Sequence, residues 1–374
     1  FLEKQGEKIF PVGCYELPKE QEKLRAMSQA GVNLVCCHSK DDLDRAASVG
    51  LLGWLPLPLA QGNSSALRQR IEDLRDHPAL AIWEGPDEIV HNFTAYSGLH
   101  RKQKVYKSPD AWSKQSPEAV QYSREQGAKL LAGLREGISL LRQLDARHRP
   151  IWVNEAASSD LLFVRQYIDH VDITGCDIYP VRASGRPLWA VADATQRWKL
   201  VGRGEKPVWM VLQAFSWHEL GEYYGQKEPA YPSSDELRWM TYASIVHGAK
   251  GVIYWGSQYL TSDEFRQSLY ALTGELCSLQ QLLVAAEVEG PRVRLIEYPT
   301  EPGQRGVSMS LRRAGSDWLV ILVNEDPAPH FGVEVSGLTG LEGRELVVLH
   351  ADETATVQRG ELITRLLPLQ VKLF

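Results

Sequence analysis

The sequence has no surplus of positive charge: 41 Lys and Arg stand against 47 Asp and Glu, a formal net charge of −6. Nucleic-acid binders draw their affinity from cations that neutralise phosphates, so nucleic acid is excluded as an expected partner. No apolar run approaches the roughly 18 residues needed to cross a bilayer, and no membrane partner is expected. Cysteine is scarce, and the five present follow neither a disulfide framework nor a zinc spacing. Cys14, Cys36, Cys37 and Cys176 lie in apolar strand-like runs and Cys277 in a helical one, which predicts buried free thiols. Also missing are a His-Glu-x-x-His helix, a Gly-x-Ser-x-Gly elbow, a phosphate loop and a dinucleotide fingerprint. The histidines are scattered, so neither a metal nor a cofactor is expected. The chain starts at Phe1 rather than Met, which suggests a preceding secretory signal and a secreted or periplasmic protein.

What is present is a rhythm of strand and helix. "KIFPVGCYE", "VNLVCCH", "LLGWLPLPL", "PALAIWEGPDE", "RPIWVNEA", "DITGCDIYPV", "KPVWMVLQAFSW" and "KGVIYWGSQY" are near-continuous apolar runs, as strands of a parallel sheet buried on both faces must be. Amphipathic helical stretches separate them, most with a polar start and a glycine near the end. Eight such pairs in about 280 residues predict an α/β fold, a closed (β/α)8 barrel over residues 1–287. An open doubly wound sheet is the rival, but "VGCYELP" is no phosphate turn. From residue 288 to 374 the texture changes to short strands between Gly-, Pro- and Asp-containing turns, the pattern of a small antiparallel β-sandwich.

In such a barrel the site lies at the carboxyl ends of the strands. Those ends offer Tyr15 and Glu16, His38, Asp87 and Glu88, Asn154 and Glu155, Asp177 and Tyr179, Gln213 and Trp217, and Trp255 and Gln258. Acids and amides bond hydroxyls, and indole faces pack on the C–H face of a sugar ring. A carbohydrate is therefore the expected partner. Glu84, at the start of the turn after the fourth strand, is expected to be a turn or salt-bridge residue.

The stretch "HPALAIWEGPDE" resembles the fourth-strand motif of the large clan of retaining glycosidases, clan A, that includes β-galactosidases, β-glucuronidases and many cellulases. In that clan a strand Trp is followed five residues on by the acid/base Glu, the spacing that Trp83 and Glu88 keep. The first, sixth, seventh and eighth runs resemble theirs too, so the likeness spans the barrel. It implies a glycoside hydrolase with Glu88 as proton donor, its pKa raised by burial beside Trp83.

Two positions depart from the clan. Asp87 stands where an Asn that binds the sugar 2-hydroxyl is usual, and Gln213 stands near the place of the seventh-strand nucleophile. Glutamine cannot form a glycosyl ester. The second carboxylate is then Asp177, which shares a strand face with Tyr179, or Glu155 or Glu16. A separation of about 5–5.5 Å between the two carboxyls implies retention, and about 6.5–9.5 Å inversion. Asp87, Glu16, His38, Tyr179, Gln213, Trp217 and Trp255 are candidate substrate contacts. A connection of nearly thirty residues follows Glu88 and carries Arg101, Lys102, Lys104 and Lys107. It reads as a solvated face, or as a cover that draws in an acidic sugar such as a uronate. A non-catalytic carbohydrate-binding barrel and a transglycosidase are the alternatives to hydrolysis of an oligo- or polysaccharide.

Overall fold

The computed structural model describes residues 2–4, 6–182, 185–221, 227–259, 261–297 and 303–374. Eight parallel strands close into a barrel: β1 (Val12–Cys14), β2 (Leu34–Cys36), β3 (Leu52–Pro56), β4 (Leu80–Glu84), β5 (Ile151–Ala156), β6 (Ile173–Ile178), β7 (Val208–Gln213) and β8 (Ala249–Trp255). Each pairs with its neighbours in sequence, and β8 pairs with β1 through Val252 and Val12. The helices between them include α1 (Gln21–Gln29), α2 (Lys40–Ser48), α3 (Ser65–Leu74), α4 (Pro117–Leu144), α5 (Ala190–Val201), α6 (Ser234–Val246) and α7 (Asp263–Ser278). Serines start several of them: Ser39, Ser64, Ser116, Ser233 and Ser262 each accept a backbone N–H of the first turn, the caps that polar helix starts supply.

Alternation along the strands separates two cores. One set of side chains meets the helices. The other fills the barrel with Trp54, Trp152 and Trp209, joined by Leu34, Ile82, Val211 and Ile253. The indoles of Trp54 and Trp152 meet edge-on at 5.8 Å, and Trp152 and Trp209 at 5.3 Å. Glycine makes room for them: a Cβ on Gly251 would lie 2.8 Å from the Trp209 ring, and one on Gly175 2.0 Å from the Trp209 carbonyl oxygen. A short hairpin, Leu2–Lys4 with Glu7–Ile9, places buried Leu2 against this inner core.

After α7 the chain forms two three-stranded antiparallel sheets. Val307–Ala314, Asp317–Asn324 and Val371–Leu373 make one, and Arg292–Leu295, His330–Ser336 and Leu362–Leu366 the other. Leu311, Val320, Leu322, Val333 and Val335 fill the space between them. The outer face of the first sheet, through Leu319, Ile321 and Val323, joins the barrel's helical core. Trp239 of α6 donates to the Asn324 carbonyl at 2.8 Å.

Three sequence expectations need adjustment. Cys277 is exposed, because its side of α7 faces solvent, while the other four thiols are buried. The connection after Glu88 is an ordered lobe with helical turns at Ile89–Thr94 and Gly98–Arg101. It is built on its own apolar cluster of Leu99, Tyr106, Ala111 and Ala119. The segment after β5 forms only short helical turns, Leu161–Val164 and Ile168–His170.

Candidate active site

The site grows from the end of β4. Alternation turns Ile82 and Glu84 to the barrel axis and Trp83 out to the helices. Trp83 is buried there and donates Nε1 to Asp145 Oδ2 at 2.8 Å. It therefore supports the scaffold and does not flank Glu88, a correction to the expectation that its ring tunes that acid. Glu84 is no turn residue either. It forms the floor of the site, 1% exposed, with Oε1 accepting from the Tyr15 hydroxyl and Oε2 from Trp54 Nε1, both at 2.9 Å. Burial, followed by the nearby charge of Asp87, pushes its pKa up to about 8.

Past Gly85 and Pro86 the chain presents two consecutive acids. Gly85 runs against β5, donating its N–H to the Trp152 carbonyl at 2.7 Å, where a Cβ would come within 2.6 Å of Val153. Glu88 sits in the left-handed region, φ 48° and ψ 39°, a conformation that costs a non-glycine residue roughly 1 kcal/mol. Its N–H donates to the Asn154 carbonyl at 3.0 Å, and its own carbonyl accepts from Asn92 at 2.8 Å. These bonds hold the strained backbone in place. Asp87 Oδ1 accepts from Asn154 Nδ2 at 2.9 Å. Asp87 is open to solvent through the cleft mouth but deep among protein atoms. That enclosure raises its pKa against the pull of the Asn154 bond.

Glu88 is the acid most displaced from its ordinary value. Burial raises its pKa, and the charges of Asp177, Asp87 and Glu155 raise it further, so it is protonated at neutral pH. Its proton bonds to Asp177 from the end of β6. Asp177 is itself raised by burial and by Asp87, while bonds from Tyr179 and Glu88 favour its charge. The pair holds one proton between two carboxyls.

Aromatic rings wall the cleft. Tyr179 stacks on Trp255 with centroids 5.4 Å apart and planes 23° apart, and Trp217 stands edge-on to Tyr179 at 6.3 Å. The cleft has a volume of about 490 Å3, and its lining includes Tyr15, Asp87, Glu88, Asn154, Asp177 and these three rings. Arg182 and Arg186 line it as well, the first with its guanidinium 5.0 Å above the Trp217 ring. Asn154, 2% exposed, keeps Oδ1 without a hydrogen-bond partner.

Six of the ten catalytic and substrate-contact candidates thus meet in one place, Asp87, Glu88, Asp177, Tyr179, Trp217 and Trp255, together with the strand-end residues Tyr15 and Asn154. Four do not. Glu155 is 0% exposed and turned behind the cleft, where it accepts from Val90 N at 3.1 Å, Tyr167 at 2.9 Å and Ser159 at 2.7 Å. Burial, opposed by those bonds, puts its pKa at about 7. It anchors the Glu88 turn and leaves no oxygen for a substrate. Gln213, also fully buried, bonds the N–H and C=O of Val181 and the carbonyl of Phe215. Glu16 accepts the N–H groups of Gly256 and Ser257 and the Ser257 hydroxyl, so it locks β8 to β1. His38 is exposed outside the cleft, where its backbone bonds Asp42 and Arg70.

Arg182, Arg186 and Tyr96 were missed from sequence because they sit in loops, where no period fixes direction, and His91 because it lies on the short helical turn Ile89–Thr94, read from sequence as part of a long connection. Of the two readings of the basic run, the structure matches the solvated face and not the cover. Lys102, Lys104 and Lys107 are exposed on the lobe, and neither they nor Arg101 line the cleft. Among the described residues there is no cluster of three or more His, Cys, Asp or Glu suited to a metal ion.

No protein-family model and no curated protein matches the sequence. Solved structures do match. A catalytic mutant of Gan42B, a GH42 β-galactosidase from G. stearothermophilus, aligns over 98% of both chains at 10% identity and a TM-score of 0.58. A family 5 glycoside hydrolase from Bacteroides vulgatus covers 99% of this chain and 90% of its own at 11% identity, TM-score 0.56. The β-galactosidase of Bacillus circulans sp. alkalophilus aligns over 74% of this chain at 14% identity and a TM-score of 0.51. This chain spans only 57% of that enzyme's length. At such identities the likeness is one of fold alone, a closed eight-stranded parallel barrel with antiparallel sheets after it.

Proposed function

We propose that the protein is a glycosidase in which Glu88 protonates the glycosidic oxygen. The observation that carries this reading is a carboxyl on the barrel's carboxyl rim, set beside Asp87 and Asp177 in a cleft walled by Tyr179, Trp217 and Trp255, where burial and those charges raise its pKa. A general acid must hold its proton at working pH, and burial with like-charged neighbours accomplishes that. The rings supply a platform for a sugar, and Arg182 and Arg186 at the mouth suit a substrate with an anionic substituent.

Glu88 and Asp177 shift each other's pKa through a bond between their side chains, whereas either glycosidase geometry keeps its two carboxyls roughly 5–9.5 Å apart. A sugar's anomeric carbon does not fit between groups that share a proton. In this reading Asp177 retains and orients the Glu88 proton rather than attacking the sugar. Gln213 lends no support to a lost nucleophile, since all its bonds serve the β6 and β7 loops.

The test compares wild type with Glu88→Gln on a panel of aryl glycosides and oligosaccharides, uronates included. Release of sugar by wild type alone, with both proteins folded, supports hydrolysis. Binding without turnover by both favours a carbohydrate-binding barrel, and products longer than the donor favour transfer.

A further inference from the structure

Resting on the glycosidase reading, the next question is what attacks the anomeric carbon. Among the described residues near the rim, each carboxylate except one is committed elsewhere. Glu16 clasps Gly256 and Ser257. Glu84 lies beneath Tyr15 and Trp54. Glu155 is saturated behind the cleft. Asp177 bonds Glu88 and Tyr179, and its Oδ1 is buried without a partner. Glu219 is held by Tyr231, Thr261 and the Ser216 N–H. Against these described carboxylates, Asp87 is exposed in the cleft, with Oδ1 taken by Asn154 and Oδ2 left for a ligand. It is the chain neighbour of Glu88 and leaves the same turn, so both reach a substrate from the same side. A nucleophile or base has to act from the side opposite the leaving group.

We propose that the substrate carries its own nucleophile: a sugar with an acetamido group at C2, trans to the leaving group, whose carbonyl oxygen attacks C1. Asp87 Oδ2 accepts the acetamido N–H, and Asn154, which fixes Asp87 through Nδ2, keeps its buried Oδ1 for a donor on the same sugar. The packed rings of Tyr179, Trp217 and Trp255 give the acetyl methyl an apolar wall. The steps balance. The acetamido oxygen forms a bond to C1 as the C1–O bond to the leaving group breaks, and the leaving oxygen takes the Glu88 proton. The resulting oxazolinium cation is stabilised by the Asp87 carboxylate. Glu88, now ionised, removes a proton from water, which attacks C1 and returns the acetamido group, with net retention.

This assigns Asp87 the role of orienting and charge-stabilising residue, and it explains why no seventh-strand carboxylate is needed. The test uses wild-type protein and paired aryl β-hexosides, with and without the 2-acetamido group, plus a series with one, two and three fluorines on the acetyl methyl. Participation predicts that the 2-acetamido glycoside is cleaved about 100-fold or more faster than its parent. It also predicts that kcat falls with each fluorine, because fluorine weakens the attacking oxygen. Asp87→Asn should lower kcat on the acetamido substrate about 100-fold, with a smaller change in KM. If the parent hexosides are cleaved as fast, or fluorine has no effect on kcat, the inference falls while the glycosidase reading stands. If neither class is cleaved by folded protein, both fall together.

Discussion

At the barrel rim, Glu84, Asp87, Glu88, Glu155 and Asp177 have no ion-pair partner among the described residues. At the seam between barrel and sandwich the opposite holds. Glu325, 3% exposed, is met by His247 at 2.5 Å and Arg305 at 3.1 Å, and Glu275 by Arg238 at 3.1 Å and His350 at 3.1 Å. Burial acts on both groups, and at Glu84, Asp87, Glu155 and Asp177 it outweighs the hydrogen bonds that oppose it. At Glu325 it is outweighed by hydrogen bonds from His247, Ser308 and Arg305, which hold the carboxyl below its usual value. The seam uses buried charge to fix how two layers meet. The rim tolerates uncompensated acids, which is costly for folding and is the condition a proton donor requires.

Mutations can break this contrast, and the largest effect is expected at Glu88. Glu88→Gln removes the proton but keeps shape, and kcat/KM on unactivated glycosides should fall about 100- to 10,000-fold. The loss should be smaller for aryl glycosides whose leaving groups need little protonation, with an unchanged circular dichroism spectrum. At the seam, Glu325→Ala leaves Arg305 and the His247 ring without this partner, and urea unfolding should show a loss of about 3–4 kcal/mol with activity retained in the folded fraction. Equal activity losses from these two variants would erase the distinction between rim and seam.

Gln213→Glu sharpens it further. A carboxylate there would face the carbonyls of Val181 and Phe215 that the amide now satisfies. We expect a loss of about 2–4 kcal/mol in urea and no gain in turnover. A gain in turnover would return Gln213 to the reaction.

The pH dependence follows from the raised values. Between about pH 4, where free carboxyls titrate, and pH 8, the folded rim holds protons that the unfolded chain has released. Stability therefore falls as pH rises through that window. Glu84→Gln removes one contributor, so its Tm relative to wild type should be more favourable at pH 9 than at pH 5. A parallel offset at both pH values would mean that Glu84 is not raised. The smallest effect concerns Arg186→Ala, for which KM on an anionic glycoside should rise about 3- to 10-fold and KM on its neutral counterpart should not.

Much of the architecture was legible because each barrel strand is buried on both faces and so appears as an unbroken apolar run. Of the residues the strand-end rule offered, Tyr15, Asp87, Glu88, Asn154, Asp177, Tyr179, Trp217 and Trp255 line the cleft. The rule failed on Glu155 and Gln213 for a definite reason. At the last residues of a strand, neighbours point to opposite faces, and a shift of one position exchanges inside for outside. Asn154 turns to the cleft and Glu155 away from it, a parity that "WVNE" alone does not disclose. Trp83 was misplaced by the same ambiguity. Arg182 and Arg186 belong to a loop, where no alternation exists to read.

The clasp of Glu16 on Gly256 and Ser257 has a consequence for how the molecule is made. It joins residues 240 positions apart, and Gln280 grips the N–H and C=O of Phe10 across 270. On the ribosome, the first barrel strand emerges long before the partner that covers its edge. The growing chain must carry an unpaired edge through most of its synthesis, the kind of surface on which chaperones act and aggregates start. Weakening this seam should therefore reduce the yield of soluble protein more than it reduces the stability of molecules that have already closed.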